Sequence, residues 1–365
     1  MKVLWLTNIP SPYRVKFFSE LGKKIELTVL FEKAYSNERD NTWKRFSFDN
    51  FNGIVLKGIS VFTDMAFSVG FQRYIKTHKN DIIVVSNPIT PTGIRAILFM
   101  QMHRIRYCIE SDGAFPQTNC GIKGKLKTLL YKHAECCFTT SELGKQYFAN
   151  YGVKLERIKK YPFSSVSKGE IVDYSDIFIK KQEIKEELGI CEEKIILSVG
   201  RFIPGKGFEN LILAANSLPD NVGIYIIGGV PTDSYISIVN ENKKERMHFL
   251  KFMPSEELKK YYLCADVFVF PTHKDIWGLV VNEAMASGLP VITTDRCISG
   301  LEMISDNGNG YIVKDNDINN LESRMREILF SKKYKQMSLM ALERAKEYTI
   351  DSMVEAHVSY FEKMR

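Results

Sequence analysis

The sequence predicts an α/β protein of two Rossmann-like domains, each a doubly wound parallel sheet, and three observations carry the prediction. Apolar, β-branched runs recur at residues 3–7, 25–31, 81–86, 107–110, 136–140, 195–199, 224–227, 248–252, 267–270 and 291–294, separated by segments of helical length. Strands alternating with helices imply parallel pairing. Ten strands are many for one open sheet, so two sheets are expected. A serine-rich stretch over residues 163–174, F-S-S-V-S-K-G-E-I-V-D-Y, lacks an apolar period and marks the boundary, giving domains 1–165 and 166–349. Ligands of such sheets sit at the carboxyl ends of the strands, and with two domains facing each other the expected place is the cleft between them.

In chain order, the first strand ends in T-N-I-P-S-P-Y-R, where Arg14 is expected either to meet a phosphate or the acceptor or, with Pro10 and Pro12 only shaping the loop, to form a surface pair. The run at 107–110 ends in E-S-D-G. Glu110 and Asp112 are expected to cap the turn at Gly113, with ligand hydroxyls as the alternative. The segment 121–133, G-I-K-G-K-L-K-T-L-L-Y-K-H, alternates Lys123, Lys125, Lys127 and Lys132 with apolar residues. It reads either as a solvated amphipathic helix or as a docking element for an anionic membrane or a phosphorylated lipid.

Charge supports the division into halves. Residues 1–165 hold 25 Lys and Arg against 13 Asp and Glu, whereas the remainder holds 25 against 30. A basic half attracts anionic partners. Nucleic acid is not expected, since no zinc pattern and no RNA or DNA module is present. The seven cysteines, Cys108, Cys120, Cys136, Cys137, Cys191, Cys264 and Cys297, lack C-x-x-C spacing and read as reduced packing residues. No run is long enough to span a bilayer and the N-terminus lacks a signal-peptide core, so a cytoplasmic protein is expected, with a peripheral position on the inner membrane face as an extension.

In the second half, the strand at 194–199 runs into G-R-F-I-P-G-K-G (200–207) and then a helical pattern to Leu218. Lys206 sits where a helix dipole disfavours a cation, so an anion is the natural third party. With Arg201 and the helix amides it makes a diphosphate site. The segment fits G-x-x-x-x-G-K-[ST] except at its last position. Gly207 replaces the hydroxyl that would hold Mg²⁺ and Pro204 lacks an amide, which argues against a nucleoside triphosphatase.

The next such unit is P-T-H-K-D-I-W-G-L-V-V-N-E-A-M-A-S-G-L-P (271–290), where a strand hands over to a helix expected to start near Trp277. Asp275 is either an N-cap or a ligand-binding acid. Glu283 shares a helical face with Leu279, Val280 and Ala286, so its carboxylate is expected against apolar packing, in need of polar partners.

These two segments together resemble the retaining glycosyltransferases of family 4, which have the two-domain GT-B fold. The resemblance extends to residues 224–229, 261–271, Gly300, Glu302 and 309–313, and is strong only in the second half. It implies that Arg201 and Lys206 hold a donor diphosphate, Glu283 the ribose hydroxyls and Asp275 a hydroxyl of the transferred sugar. It also implies that Gly200, Gly228 and Gly229 line the donor site, that Phe252 and Met253 lie in the base-binding loop, and that the amides of Gly278, Leu279 and Val280 face phosphate or sugar. A helix at about 350–365 would return to the first domain. Two positions depart from the pattern: Asp275 stands for the usual Glu, and Lys251 for a common Gly. The implied activity is a retaining, metal-independent transfer of a hexose or N-acetylhexosamine from a UDP- or GDP-sugar to a glycan or lipid-linked acceptor in cell-surface polysaccharide assembly, with no further cofactor. A sugar-nucleotide epimerase of similar fold and a non-catalytic sugar-nucleotide-binding protein are the alternatives.

Overall fold

A computed structural model describes residues 1–35, 47–117 and 121–364 of the chain. It divides into two compact units, Met1–Ser165 with Ile350–Arg365, and Val166–Thr349. Cys120 lies outside the described residues.

Unit 1 starts with β1 (Lys2–Thr7), α1 (Pro12–Gly22), β2 (Glu26–Phe31) and β3 (Asn52–Val55), followed by an antiparallel hairpin of β4 (Lys57–Phe62) and β5 (Met65–Val69). It continues with α2 (Phe71–Thr77), β6 (Ile82–Val85), α3 (Pro91–Met102), β7 (Cys108–Ser111), α4 (Ile122–Tyr131), β8 (Cys136–Thr139), α5 (Glu142–Asn150) and β9 (Ile158–Lys160). The sheet order β3-β2-β1-β6-β7-β8-β9 is parallel throughout. Side chains alternate across β1. Leu4 and Leu6 join the core under α2 to α5, while Trp5 points to the other face against Phe17 and Phe18 of α1.

Unit 2 holds α6 (Tyr174–Glu187), β10 (Lys194–Val199), α7 (Phe208–Ala215), β11 (Val222–Ile227), α8 (Asp233–Ser237), β12 (Met247–Leu250), α9 (Ser255–Cys264) and β13 (Val267–Phe270). Then come α10 (Leu279–Ala286), β14 (Val291–Thr294), α11 (Ile298–Met303), β15 (Gly310–Val313), α12 (Ile318–Phe330) and α13 (Tyr334–Glu347). Its sheet, β12-β11-β10-β13-β14-β15, is also parallel. The last helix, α14 (Ile350–Lys363), belongs to unit 1, where His357 and Phe361 pack against Trp5 and Phe138.

The α/β class and the parallel sheets are as the periodicity predicts. Five described strands have no counterpart among the ten runs: β3, β4, β5, β9 and β15. Each is short or polar enough to hide its period, as in the three-residue β9, which reads Ile-Lys-Lys. Helix α7 also ends three residues before Leu218.

Candidate active site

In each sheet the chain winds outward from the centre in two directions, and the strand ends at that switch point form a natural crevice. In unit 2 the switch lies between β10 and β13. The two loops leaving those strands, 200–207 and 271–278, are the ones singled out in the sequence. They are fastened together. Thr272 Oγ1 donates to the Gly205 carbonyl at 2.8 Å and the His273 amide to the same oxygen at 3.1 Å. Gly207 adopts φ +65°, and a Cβ there would stand 2.1 Å from the Pro271 carbonyl oxygen, so only glycine fits the closure.

Within this frame Lys206 Nζ lies 2.6 Å from Asp275 Oδ2, and also faces the Phe270 ring. The other oxygen, Asp275 Oδ1, accepts from the Trp277 amide at 3.1 Å, while the Asp275 amide donates to the Arg296 carbonyl. Asp275 is therefore not the N-cap of α10; Gly278 takes that position, with φ +94°. The helix starts at Leu279 instead of near Trp277 because the chain first pairs with the segment at Arg296 and Cys297. Arg201 is exposed at the start of the same glycine loop. Gly200 and Gly228 are pressed together, a Cβ on Gly228 falling 2.3 Å from the Gly200 carbonyl oxygen. Gly229, Phe252 and Met253 follow β11 and β12, so their loops open at the same end of the parallel sheet, where Phe252 is exposed.

Glu283 is half-buried, and so are Leu279 and Val280, whereas Val281, Ala284 and Met285 face the core. The face carrying Glu283 is thus mixed, with Leu279 and Val280 half-buried and Ala286 buried. Tyr262 Oη donates to Glu283 Oε2 at 3.2 Å, and the nearby carboxylate together with burial raises the tyrosine well above its ordinary pKa.

Sequence reasoning missed His273. Its Nδ1 is 2.6 Å from Asp315 Oδ1 and its Nε2 2.8 Å from Glu209 Oε1. A neutral imidazole has one N–H, so satisfying both carboxylates requires the imidazolium. Burial lowers the His273 pKa, but the two acids outweigh it and raise it above 6.5. A raised histidine stabilises the fold fully below about 6.5 and loses that contribution as pH climbs through the folded-state value. Thermal unfolding of the wild type should show this loss as pH rises above about 6.5, and His273→Asn should flatten it.

In unit 1 the switch lies between β1 and β6. Arg14, expected at the surface or on a ligand, is buried. Its Nη1 donates to Glu110 Oε1 at 3.0 Å, its Nη2 lies 2.9 Å from Glu110 Oε2, and it also pairs with Asp112. Glu110 does not cap the Gly113 turn; the Ser111 hydroxyl accepts the Gly113 amide there. Burial works against ionisation of Glu110, but Arg14 and His357 hold it below the usual carboxylate range, at about 2. Asp112 is pushed the other way by burial and by Glu110, against the pull of Arg14.

Cys108, Cys136, Cys137, Cys264 and Cys297 are free and buried, whereas Cys191 is free and exposed, outside any packing role. Among the described residues no cluster of His, Cys, Asp and Glu could hold a metal ion, and no helix is long and apolar enough to cross a membrane.

Residues 180–345 match the family described as Glycosyl transferases group 1, so the match covers the unit that carries the two clamped loops. The chain is 28% identical over 178 residues to D-inositol 3-phosphate glycosyltransferase of Mycolicibacterium smegmatis, 46% of this chain and 40% of that protein. It spans about two fifths of the length of curated relatives such as this one. An uncharacterized 41.2 kDa protein in the cps region of Klebsiella pneumoniae is 26% identical over 262 residues, 68% of this chain and 69% of that one. Among solved structures, Anabaena Alr3699/HepE in complex with UDP superposes with a TM-score of 0.77 at 14% identity, covering 100% of both chains. At that identity the likeness establishes the fold, which is GT-B.

Proposed function

We propose that this protein is a glycosyltransferase that moves a hexose or N-acetylhexosamine from a nucleotide-diphospho sugar to a glycan or lipid-linked acceptor in cell-surface polysaccharide assembly, with retention and without a metal. The carrying observation is the 2.6 Å contact between Lys206 and Asp275. Breaking a sugar to phosphate bond calls for stabilisation of the leaving phosphate, and a lysine beside an acid suits a ligand with phosphate at one end and sugar hydroxyls at the other. Support comes from where this pair lies, on the clamped loops at the switch point of the sheet within the stretch that matches the glycosyl transferases group 1 family.

Negative charge grows on the leaving diphosphate, and Lys206 with Arg201 meets it; preorganised donors of this kind contribute about 3–4 kcal/mol each. Asp275 orients Lys206 and takes a sugar hydroxyl. Glu283, steadied by Tyr262, takes the ribose hydroxyls, and the glycine backbones at 200 and 228 allow close approach of the nucleotide. The leaving phosphate oxygen accepts the acceptor proton on the face it vacates, which retains the anomeric configuration. A UDP-sugar is the first donor to test, since the structural neighbour HepE was solved with UDP and with UDP-glucose. The lysines of α4 suit an acceptor held at an anionic surface.

Thermal stabilisation by UDP-, GDP-, ADP- and dTDP-sugars in EDTA tests the donor site. A ligand at 100 times its dissociation constant adds about 2.7 kcal/mol. The expected result is a shift with one base, absent in Arg201→Ala/Lys206→Ala. No response to any of them, or a response that requires Mg²⁺ and a nucleoside triphosphate, rejects the reading.

A further inference from the structure

One face of unit 1 carries a charge and surface pattern that the donor chemistry does not use. Helices α2, α3 and α4 share a core on the same side of the sheet, and the hairpin β4–β5 is fastened to α3. Ser68 donates its amide to Thr92 Oγ1 at 2.9 Å, that hydroxyl donates to the Ala66 carbonyl at 2.6 Å, and Arg95 reaches the Ser68 carbonyl at 2.9 Å. Residues 57–80, 91–104 and 121–133, which with α5 build this layer, hold ten Lys and Arg and one acid, Asp64, and α5 adds one lysine and one acid. The helices of the opposite face, α1 and α14, hold three Lys and Arg against four acids. The basicity of the half is thus concentrated on one side.

The same side exposes large apolar residues. In the hairpin, Ile59 and Phe67 are cross-strand partners and both point outward, with Ile59 76% exposed, while the inward Ala66 and Ser68 are buried. Met102 closes α3 at 80% exposure and Ile122 opens α4 at 88%. Beside Ile122 lies a groove of about 470 Å³ whose lining includes Lys125, Thr128, Lys132 and His133. Basic groups around protruding aliphatic side chains match an interface where phosphate headgroups overlie acyl chains. A second copy of the chain would bring ten cations against ten. Nucleic acid asks for a row of exposed aromatic platforms, and the exposed large apolar residues of this layer are, Phe67 apart, aliphatic side chains and Met102.

We propose that this face docks on an anionic lipid bilayer, with Ile59, Phe67 and Ile122 entering the headgroup boundary and the groove beside α4 receiving a lipid phosphate. The proposal rests on the reading of the acceptor as membrane-borne and extends it from the lysines of α4 to the hairpin.

The test is co-sedimentation with vesicles of phosphatidylcholine alone or with phosphatidylglycerol added, at low and high salt. Wild type should bind only the phosphatidylglycerol vesicles, with affinity falling about tenfold or more as salt screens the lysines. Ile59→Ser/Phe67→Ser should lose most of the binding at unchanged circular dichroism and an unchanged nucleotide-sugar thermal shift. Trp emission of Phe67→Trp, less that of wild type, should move to the blue on these vesicles. The proposal is overturned by no vesicle binding, by binding indifferent to the hairpin substitutions, by a solution dimer that those substitutions split, or by equal binding to poly-uridylate. Because vesicles report on the face and the nucleotide shift on unit 2, failure of one reading is separable from failure of the other.

Discussion

Lys206→Ala should lower turnover by a factor of ~10²–10³, the loss seen when one preorganised donor to a developing anion is removed. The substitution does more than delete a phosphate contact. It leaves the Asp275 carboxylate, whose side chain is largely enclosed, without its 2.6 Å partner and facing the incoming diphosphate. Donor affinity should therefore fall together with kcat. Lys206→Arg keeps the charge but cannot place a compact ammonium between Asp275 and the Phe270 ring, so it should rescue binding more than rate. Steady-state kinetics with the donor identified by thermal shift measure both. A kcat within threefold of wild type for Lys206→Ala would remove Lys206 from the reaction.

Arg14→Ala should destabilise unit 1 by ~3–5 kcal/mol, because it strands Glu110 as a buried acid and leaves the half-buried Asp112 without its cation. For a unit of this size that is a drop in Tm on the order of 10 °C. Replacing Arg14 and Glu110 together by apolar residues should recover part of the loss, since breaking a buried pair costs more than omitting it. The acid side of the stability profile carries the same signature. With Glu110 held below its unfolded value by Arg14, its contribution is present above about 4.3 and fades as pH falls below that, while the raised Asp112 gives the opposite slope at the upper end of the range. Calorimetry of the wild type and the two variants across pH 3–7 checks all three expectations.

The sequence made the architecture and the two glycine-bearing loops readable because both are local: a β-branched run, a glycine at a turn and a helix-length pattern each sit within a short window. What it hid was long-range. Lys206 and Asp275 are 69 positions apart, and each carried a separate expectation, a phosphate cation and an N-cap or sugar acid, with nothing to say that they touch. His273 meets Glu209 and Asp315 from 64 and 42 positions away, so a lone histidine in a loop gave no sign of its two acids. Glu110 looked like a turn residue because Arg14, which makes it a buried ion, lies 96 positions earlier. The hairpin strands were overlooked because they are short and mixed in composition, with Lys57, Gly58 and Ser60 in one and Ser68 in the other.

Helix α14 completes a unit whose other elements were made long before it. The ribosome finishes residues 1–165, then all of unit 2, before it delivers His357 and Phe361 to the pocket around Trp5 and Phe138. At about 5–20 residues per second the interval is roughly 10 to 40 s. During that time unit 1 waits with an uncovered aromatic floor, and unit 2 is itself complete only at Thr349, one residue before α14 begins. The two units are therefore completed almost together, although unit 1 was begun a whole domain earlier.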